Sequence, residues 1–213
     1  MTTGKEILNT LKDIAILLLI TILAGGLLGL VYKITVDPIA EARVRARMEA
    51  CMEVLPGATE FTEDESGLSG KAEALFAGSE YEGITIDSVY EGSDESGAVC
   101  GYVVSVTNGE SYGGDLTLFI GFNPEADITG ISVIENNDTP GLGQRAGSEL
   151  TPQFVGKGSQ VGTFTYVKNN PISDSEVVAI SGATITTKAV TNEINAAMWF
   201  YKDVILGGDA SGN

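Results

Sequence analysis

The sequence predicts an α+β fold, in which one N-terminal transmembrane helix precedes a single domain with a mostly antiparallel sheet and flanking helices. Three observations support this prediction. An uncharged apolar run covers residues 14–32, several later segments alternate between apolar and polar residues, and helical periodicity follows a short apolar strand near residue 180. The 181 residues that follow the apolar run are enough for one domain with a substantial core.

The apolar run has the length of a membrane span. A helix rises about 1.5 Å per residue, so residues 14–32 match the thickness of a hydrocarbon core. A cleaved secretory signal is the alternative, because Ala40-Glu41-Ala42 resembles a small-residue cleavage site. That site lies well beyond the run, and Asp37-Pro38 is typical of a helix N-cap followed by a first-turn proline. We therefore expect an uncleaved anchor and a separate membrane-proximal helix.

The anchor also carries a candidate surface for another helix. Gly25 and Gly29 lie four residues apart, so one face is smooth enough for close helix packing. The whole chain is predicted to comprise a short N-terminal segment (1–13), the transmembrane helix (14–32), the membrane-proximal helix (33–55), the folded domain (56–206) and a flexible tail (207–213).

Six segments of the folded domain have strand character. Apolar and polar residues alternate in several of them, and the acidic and glycine-rich stretches between them are typical of loops. Asn108-Gly109 is a turn signal between two of these strands, which favours antiparallel pairing. The predicted strands are residues 84–90, 101–107, 115–122, 128–134, 162–167 and 177–180.

Composition excludes several classes of function. The chain has 29 acidic and 12 basic residues and a formal charge of −17, so nucleic acid is not an expected partner. It has no histidine, which excludes His-based metal sites, His-dependent proteases and His-ligated haem. Cys51 and Cys100 are too few to ligate an iron–sulfur cluster within this chain. A disulfide between them is one interpretation, and two buried small hydrophobes are the other.

The segment from Ile180 to Thr187 is the most informative part of the chain. The sequence Ser-Gly-Ala-Thr at residues 181–184 lies between an apolar strand and an amphipathic helix, so Thr184 is expected at a helix N-terminus. Backbone N–H groups there favour an anion, above all a phosphate. The alternative is that Ser181 or Thr184 merely caps the helix.

This segment resembles the flavinylation motif of the FMN-binding subunits of Rnf and sodium-pumping NADH:quinone reductase complexes. The resemblance implies one FMN joined through its phosphate to Thr184, with Thr186 and Thr187 as neighbours or fallback sites. Asp138-Thr139-Pro140-Gly141-Leu142-Gly143 resembles a second signature of the same domain. Tyr112-Gly113-Gly114-Asp115 and Leu55-Pro56-Gly57-Ala58 resemble two further landmarks, in the expected order.

From the resemblance we expect particular contacts with the flavin. Tyr112 and Leu142 are candidates to contact the ring, and Thr139 and Ser181 to form hydrogen bonds with it. Glycines would let the backbone approach the cofactor closely; these are Gly113, Gly114, Gly141 and Gly143, and Gly182 and Ala183 complete the motif before Thr184. The chain departs from many relatives in two places: no histidine precedes Asp138, and Val178 stands where an Asp is common, although Glu176 is nearby.

The resemblance implies a membrane-anchored electron-transfer protein, the G-type subunit of an Rnf complex that couples ferredoxin and NAD redox chemistry to ion movement. Its implied partners are the other membrane subunits, including a second flavin subunit and iron–sulfur subunits, and a flavin transferase for maturation. It also implies a cytoplasmic N-terminus and an extracytoplasmic flavin domain in the cell membrane, whereas a positive-inside count gives the opposite orientation. The alternatives are the C-type subunit of sodium-pumping NADH:quinone reductase and an anchored binding or assembly module without flavin.

Overall fold

The computed structural model describes residues 4–207, which fall into two compact units divided after Arg47. Of the predicted tail, residues 208–213 lie outside the described part. Helix α1, Gly4–Val54, begins in the first unit and its last turns belong to the second. Within it, Asn9–Val36 is long and apolar enough to cross a membrane and includes the predicted span.

The expected separate membrane-proximal helix is not present in the described chain. Pro38 lies inside α1 rather than at the start of a new helix. A proline removes one backbone hydrogen bond, and the flanking turns continue past it. The anchor and the membrane-proximal segment are therefore parts of one long helix.

The second unit is built on a five-stranded antiparallel sheet in the order β1-β2-β3-β4-β5. Its strands are β1 (Glu60–Glu63), β2 (Ile84–Ser93), β3 (Val99–Ser111), β4 (Gly114–Phe122) and β5 (Ile128–Asn136). A short parallel pair, β6 (Thr165–Val167) and β7 (Glu176–Val178), lies outside this sheet. The helices are α2 (Lys71–Phe76) and α3 (Thr184–Phe200), and short 3₁₀ or π turns cover Gly143–Arg145, Ala146–Leu150, Thr151–Gln153 and Tyr201–Ile205.

The antiparallel α+β architecture is confirmed, with three differences from the sequence-based expectation. The polar β1 and the short α2 were not predicted, because neither has a clear apolar period. The hairpin between β3 and β4 turns at Tyr112-Gly113, since Ser111 pairs with Gly114. Asn108 stays in β3 because its buried side chain donates to the Ala189 carbonyl and accepts from the Glu110 N–H.

Both faces of the large sheet are covered within the second unit. One face packs on α3, and buried residues such as Val104, Leu118, Ile120 and Ile194 form the main core there. The other face packs on the end of α1, where Gly121 and Gly130 leave room for the backbone of Val54. The sheet is thus packed between α3 and the end of α1.

The two cysteines are free thiols. Cys51 is buried beside the sheet, and this burial raises the pKa of its thiol to about 12. A thiol held in its protonated form is a poor nucleophile and a poor ligand. The interpretation of Cys51 as a buried small hydrophobe is therefore supported, and Cys51 and Cys100 do not form a disulfide.

Candidate functional site

Three segments meet around a cavity of about 490 Å³ at the N-terminus of α3. The β3–β4 hairpin contributes Tyr112, the loop after β5 contributes residues 138–143, and the motif segment contributes residues 182–186. These segments are far apart in the sequence and adjacent only in the fold. The full lining is Tyr112, Asp138, Thr139, Leu142, Gly143, Gly182, Ala183, Thr184, Ile185 and Thr186.

The N-terminus of α3 is open towards an anion. Ala183 is the N-cap residue and no side chain caps the helix, so neither Ser181 nor Thr184 has the capping role that was the alternative interpretation. Gly182 has a φ of +80°, the left-handed conformation that glycine adopts most readily, and it turns the chain into the helix. Thr184 is the first helical residue and its side chain is exposed. Its hydroxyl therefore lies beside the backbone N–H groups of an uncapped first turn.

The two neighbouring threonines are buried and engaged within the protein. The Thr187 hydroxyl donates to the Ala183 carbonyl at 2.9 Å and accepts from the Ile180 N–H at 3.1 Å. The Thr186 hydroxyl donates to the Asp138 carboxylate at 2.5 Å. Both hydroxyls hold the start of α3 against the segments beside it, whereas the Thr184 hydroxyl has no such structural hydrogen bond among those described.

Asp138 is the polar centre of the cavity wall. It is 2% exposed, and its carboxylate accepts hydrogen bonds from the Ser111 hydroxyl at 2.8 Å and the Gly113 N–H at 2.5 Å, besides that from Thr186. The donors come from the hairpin and from α3, while Asp138 itself belongs to the loop after β5. One carboxylate thus joins all three segments that line the cavity.

Two glycines allow the close approach of these segments. A Cβ at Gly143 would overlap the Asp138 carboxylate and the Thr186 hydroxyl, and one at Gly113 would overlap the backbone of Asn137 and Asp138. Both glycines were expected to make room for a cofactor. In the fold they make room for the protein's own polar network, because the hairpin and the loop could not otherwise reach the start of α3.

Apart from the exposed polar residue Thr139, the rest of the lining is apolar and accessible. Tyr112 is 69% exposed, Ile185 53% and Leu142 40%, and all three face the same cavity. Apolar walls with one anion-binding end suit a flat aromatic group that carries a phosphate. FMN is such a group, so the residues present fit the cofactor that the motif implies.

Most of the predicted site residues lie together, and a few lie outside the cavity lining. Thr187 is buried in the core, while Gly113, Gly141 and Ser181 flank the cavity without lining it. The Ser181 carbonyl instead accepts a hydrogen bond from the Arg145 guanidinium at 3.0 Å, which places a cation beside the motif.

Sequence reasoning missed three residues of this region. Asp138 was recognised only as part of a motif, and Ile185 follows Thr184 directly and so could have been included. Arg145 carried no signal, because its contact with Ser181 joins residues 36 positions apart.

The chain is similar to a protein family and to several known proteins. A model of the FMN-binding domain family matches residues 111–198, a range that contains all the lining residues. The G subunit of the Na⁺-translocating ferredoxin:NAD⁺ oxidoreductase complex of Acetobacterium woodii is 31% identical, over 89% of this chain and 90% of that protein. The G subunit of the ion-translocating oxidoreductase complex of Methanosarcina acetivorans is 32% identical, over 93% and 96%. The C subunit of Na⁺-translocating NADH-quinone reductase from Parabacteroides distasonis, known from a crystal structure, is 23% identical in sequence. Its structure superposes on this chain with a TM-score of 0.46, over 59% of this chain and 64% of that one.

Proposed function

Since the chain belongs to the family of G subunits of ion-translocating (Rnf) oxidoreductase complexes, it is an FMN-carrying electron-transfer subunit, and we propose that its FMN is esterified to Thr184. The observation that carries the proposal is the exposed Thr184 hydroxyl at the uncapped N-terminus of α3, in the wall of an apolar cavity. The family assignment supports the cofactor, and the hydroxyl's surroundings support the linkage.

The surroundings favour Thr184 over its neighbours. A phosphoester at Thr186 would break its hydrogen bond to Asp138, and one at Thr187 would require a buried hydroxyl to reach solvent. The phosphate on Thr184 would instead meet first-turn N–H groups and the positive end of the helix dipole. The Arg145 guanidinium, which also forms a salt bridge with Glu149, donates to the adjacent Ser181 carbonyl and so lies near that position.

In the proposed site, the chain's own residues bind and orient the cofactor. Bound FMN accepts and donates electrons, which is chemistry that no side chain here provides. Tyr112, Leu142 and Ile185 would cover apolar parts of the ring and exclude water from one side. Thr139 lines the cavity with an exposed hydroxyl that can form hydrogen bonds with polar ring atoms.

The proposal extends to partners and location. The chain is one component of a multi-subunit complex, and Asn9–Val36 supports a membrane anchor. We propose that a second flavin subunit and iron–sulfur subunits supply and accept electrons, because this chain has no second cofactor motif. We further propose that a flavin transferase attaches the FMN and that the flavin domain lies outside the cytoplasm, with the N-terminus inside.

The two alternative functions receive less support. Two relatives that match 89% and 93% of the chain are G subunits, which disfavours the C-type subunit of sodium-pumping NADH:quinone reductase. The match to an FMN-binding family model disfavours an assembly module without flavin.

Intact-mass analysis of the chain from its native membrane tests the linkage. We expect the mass of one FMN phosphoester on the wild-type chain, and its loss in Thr184→Val. Thr163→Val is the matched control, because it makes the same change at an exposed threonine outside the motif and the cavity lining and should leave the modification in place. An adduct that persists in Thr184→Val would contradict the site, and an unmodified wild-type chain would contradict covalent attachment.

A further inference from the structure

Asp138 places a negative charge in the wall of the flavin cavity. All three of its hydrogen-bond partners donate to it, as they would to an ionised carboxylate. No basic side chain among residues 4–207 forms an ion pair with it, since the salt bridge found there joins Arg145 to Glu149. The charge is therefore held by hydrogen bonds alone and is not neutralised by a cation.

An unneutralised charge in this position acts on any cofactor in the cavity. When an oxidised flavin takes up two electrons from a redox partner, the product is an anion if one proton is taken from solvent and neutral if two are taken. A fixed negative charge in a partly desolvated wall opposes formation of the anion more strongly than the same charge would in water. A charge of this kind lowers the reduction potential of a flavin bound beside it.

We propose that Asp138 is a positioning residue with a second role, in which its buried negative charge holds the reduction potential of the flavin low. This inference rests on the proposed function, because it requires FMN in the cavity. The hydrogen bonds to Ser111, Gly113 and Thr186 give the first role, and the missing counter-cation gives the second.

Asp138→Asn separates the two roles. An Asn has the shape of Asp, and the Ser111 and Thr186 hydroxyls can rotate to accept from its amide while its carbonyl faces the Gly113 N–H. The connections between the three segments are thus retained and the charge is lost. Spectroelectrochemical titration of the flavinylated full-length chain in detergent should show a roughly tenfold higher ratio of reduced to oxidised flavin at a fixed potential. For a two-electron couple, this corresponds to a midpoint about 30 mV more positive.

Two kinds of control make the result specific. Asp115→Asn removes the same charge from an exposed position outside the cavity lining and should leave the midpoint near that of the wild type. Thr186→Val and Ser111→Ala each keep the charge and remove one donor to it, so the charge is less compensated and the midpoint should become more negative.

The outcomes distinguish the charge from the geometry. An unchanged midpoint in Asp138→Asn would overturn the proposal, and so would a positive shift of similar size in Thr186→Val and Ser111→Ala, because loosened geometry would then explain it. If Asp138→Asn does not accumulate, a more negative midpoint in the two donor variants supports the proposal, and an unchanged or more positive midpoint overturns it. A wild-type chain without FMN would instead refute the proposed function itself.

Discussion

Glu193 makes a sharp prediction about stability, because it is a fully buried acid in the middle of α3. Its side chain is 0% exposed, and both carboxyl oxygens are without a hydrogen-bond partner among the described residues. Burial raises the pKa of Glu193 well above its ordinary value, and the negative charge of Asp87 adds to this increase. The backbone N–H of Asn108 offsets part of it, although it does not meet the geometry of a hydrogen bond to either oxygen. The folded protein therefore retains a proton that the unfolded chain releases.

The direction of the pH dependence follows from this difference. Below the ordinary pKa of a glutamic acid, both states are protonated and Glu193 costs little. As the pH rises from there towards the raised pKa of the folded state, the free energy of unfolding falls by about 1.4 kcal/mol per pH unit, because only the unfolded chain releases the proton. Glu193→Gln has nearly the same volume and no such proton. Near pH 4 the free energies of unfolding of Glu193→Gln and wild type should be similar. From about pH 5 to about pH 6 the difference between them should grow by about 1 kcal/mol in favour of Glu193→Gln.

The chain contains its own probe for this measurement. Trp199 is the single tryptophan; it is partly buried against Phe76 and Tyr81 at the edge of the core and donates to Asp203. Its fluorescence should report urea unfolding of the detergent-solubilised, unmodified chain at each pH. Glu110→Gln makes the same chemical change at an exposed position and should retain the wild-type pH profile. Parallel profiles for wild type and Glu193→Gln would refute the reasoning, because Glu193 would then not hold its proton in the folded state.

Three further predictions follow from other parts of the structure. Gly143→Ala should lower the free energy of unfolding by about 1–3 kcal/mol, because its Cβ overlaps Asp138 and Thr186, whereas Gly162→Ala, with open space around it, should cost little in the same urea titration. In a Cys100→Ser background, a cysteine that replaces Asp94 in the exposed β2–β3 turn should react with an impermeant thiol reagent in intact cells. If this cysteine reacts only after the membrane is opened, the domain lies in the cytoplasm. Replacing Gly25 and Gly29 by Leu should reduce co-purification of the chain with its partner subunits while Thr184 stays modified, because nothing in this chain lies within 4 Å of a Cβ placed at either glycine and the surface is free for another helix. Full co-purification would show that docking occurs through the second unit.

The sequence by itself determined the features that depend on local pattern. The uncharged run predicted the membrane-spanning part of α1, and alternation predicted β2 to β5, because side chains in a half-buried strand alternate between core and solvent. The start of α3 at Thr184 followed from the change of period after Ile180. The cofactor followed from motifs whose order along the chain is itself sequence information.

Only the tertiary structure decided where two elements continue past a local signal to stop. Pro38 is typical of a helix start, yet α1 continues through it, and Asn108-Gly109 is typical of a turn, yet the buried Asn108 side chain holds it in β3.

The same is true of the site itself. Thr184, Thr186 and Thr187 lie within four residues and have similar sequence surroundings, but the fold buries Thr186 and Thr187 and leaves Thr184 exposed. Asp138 became a central residue only when its donors, 25 to 48 positions away, were brought to it. Local pattern encodes the direction in which a side chain leaves its own element, whereas burial and hydrogen bonding depend on what packs against it.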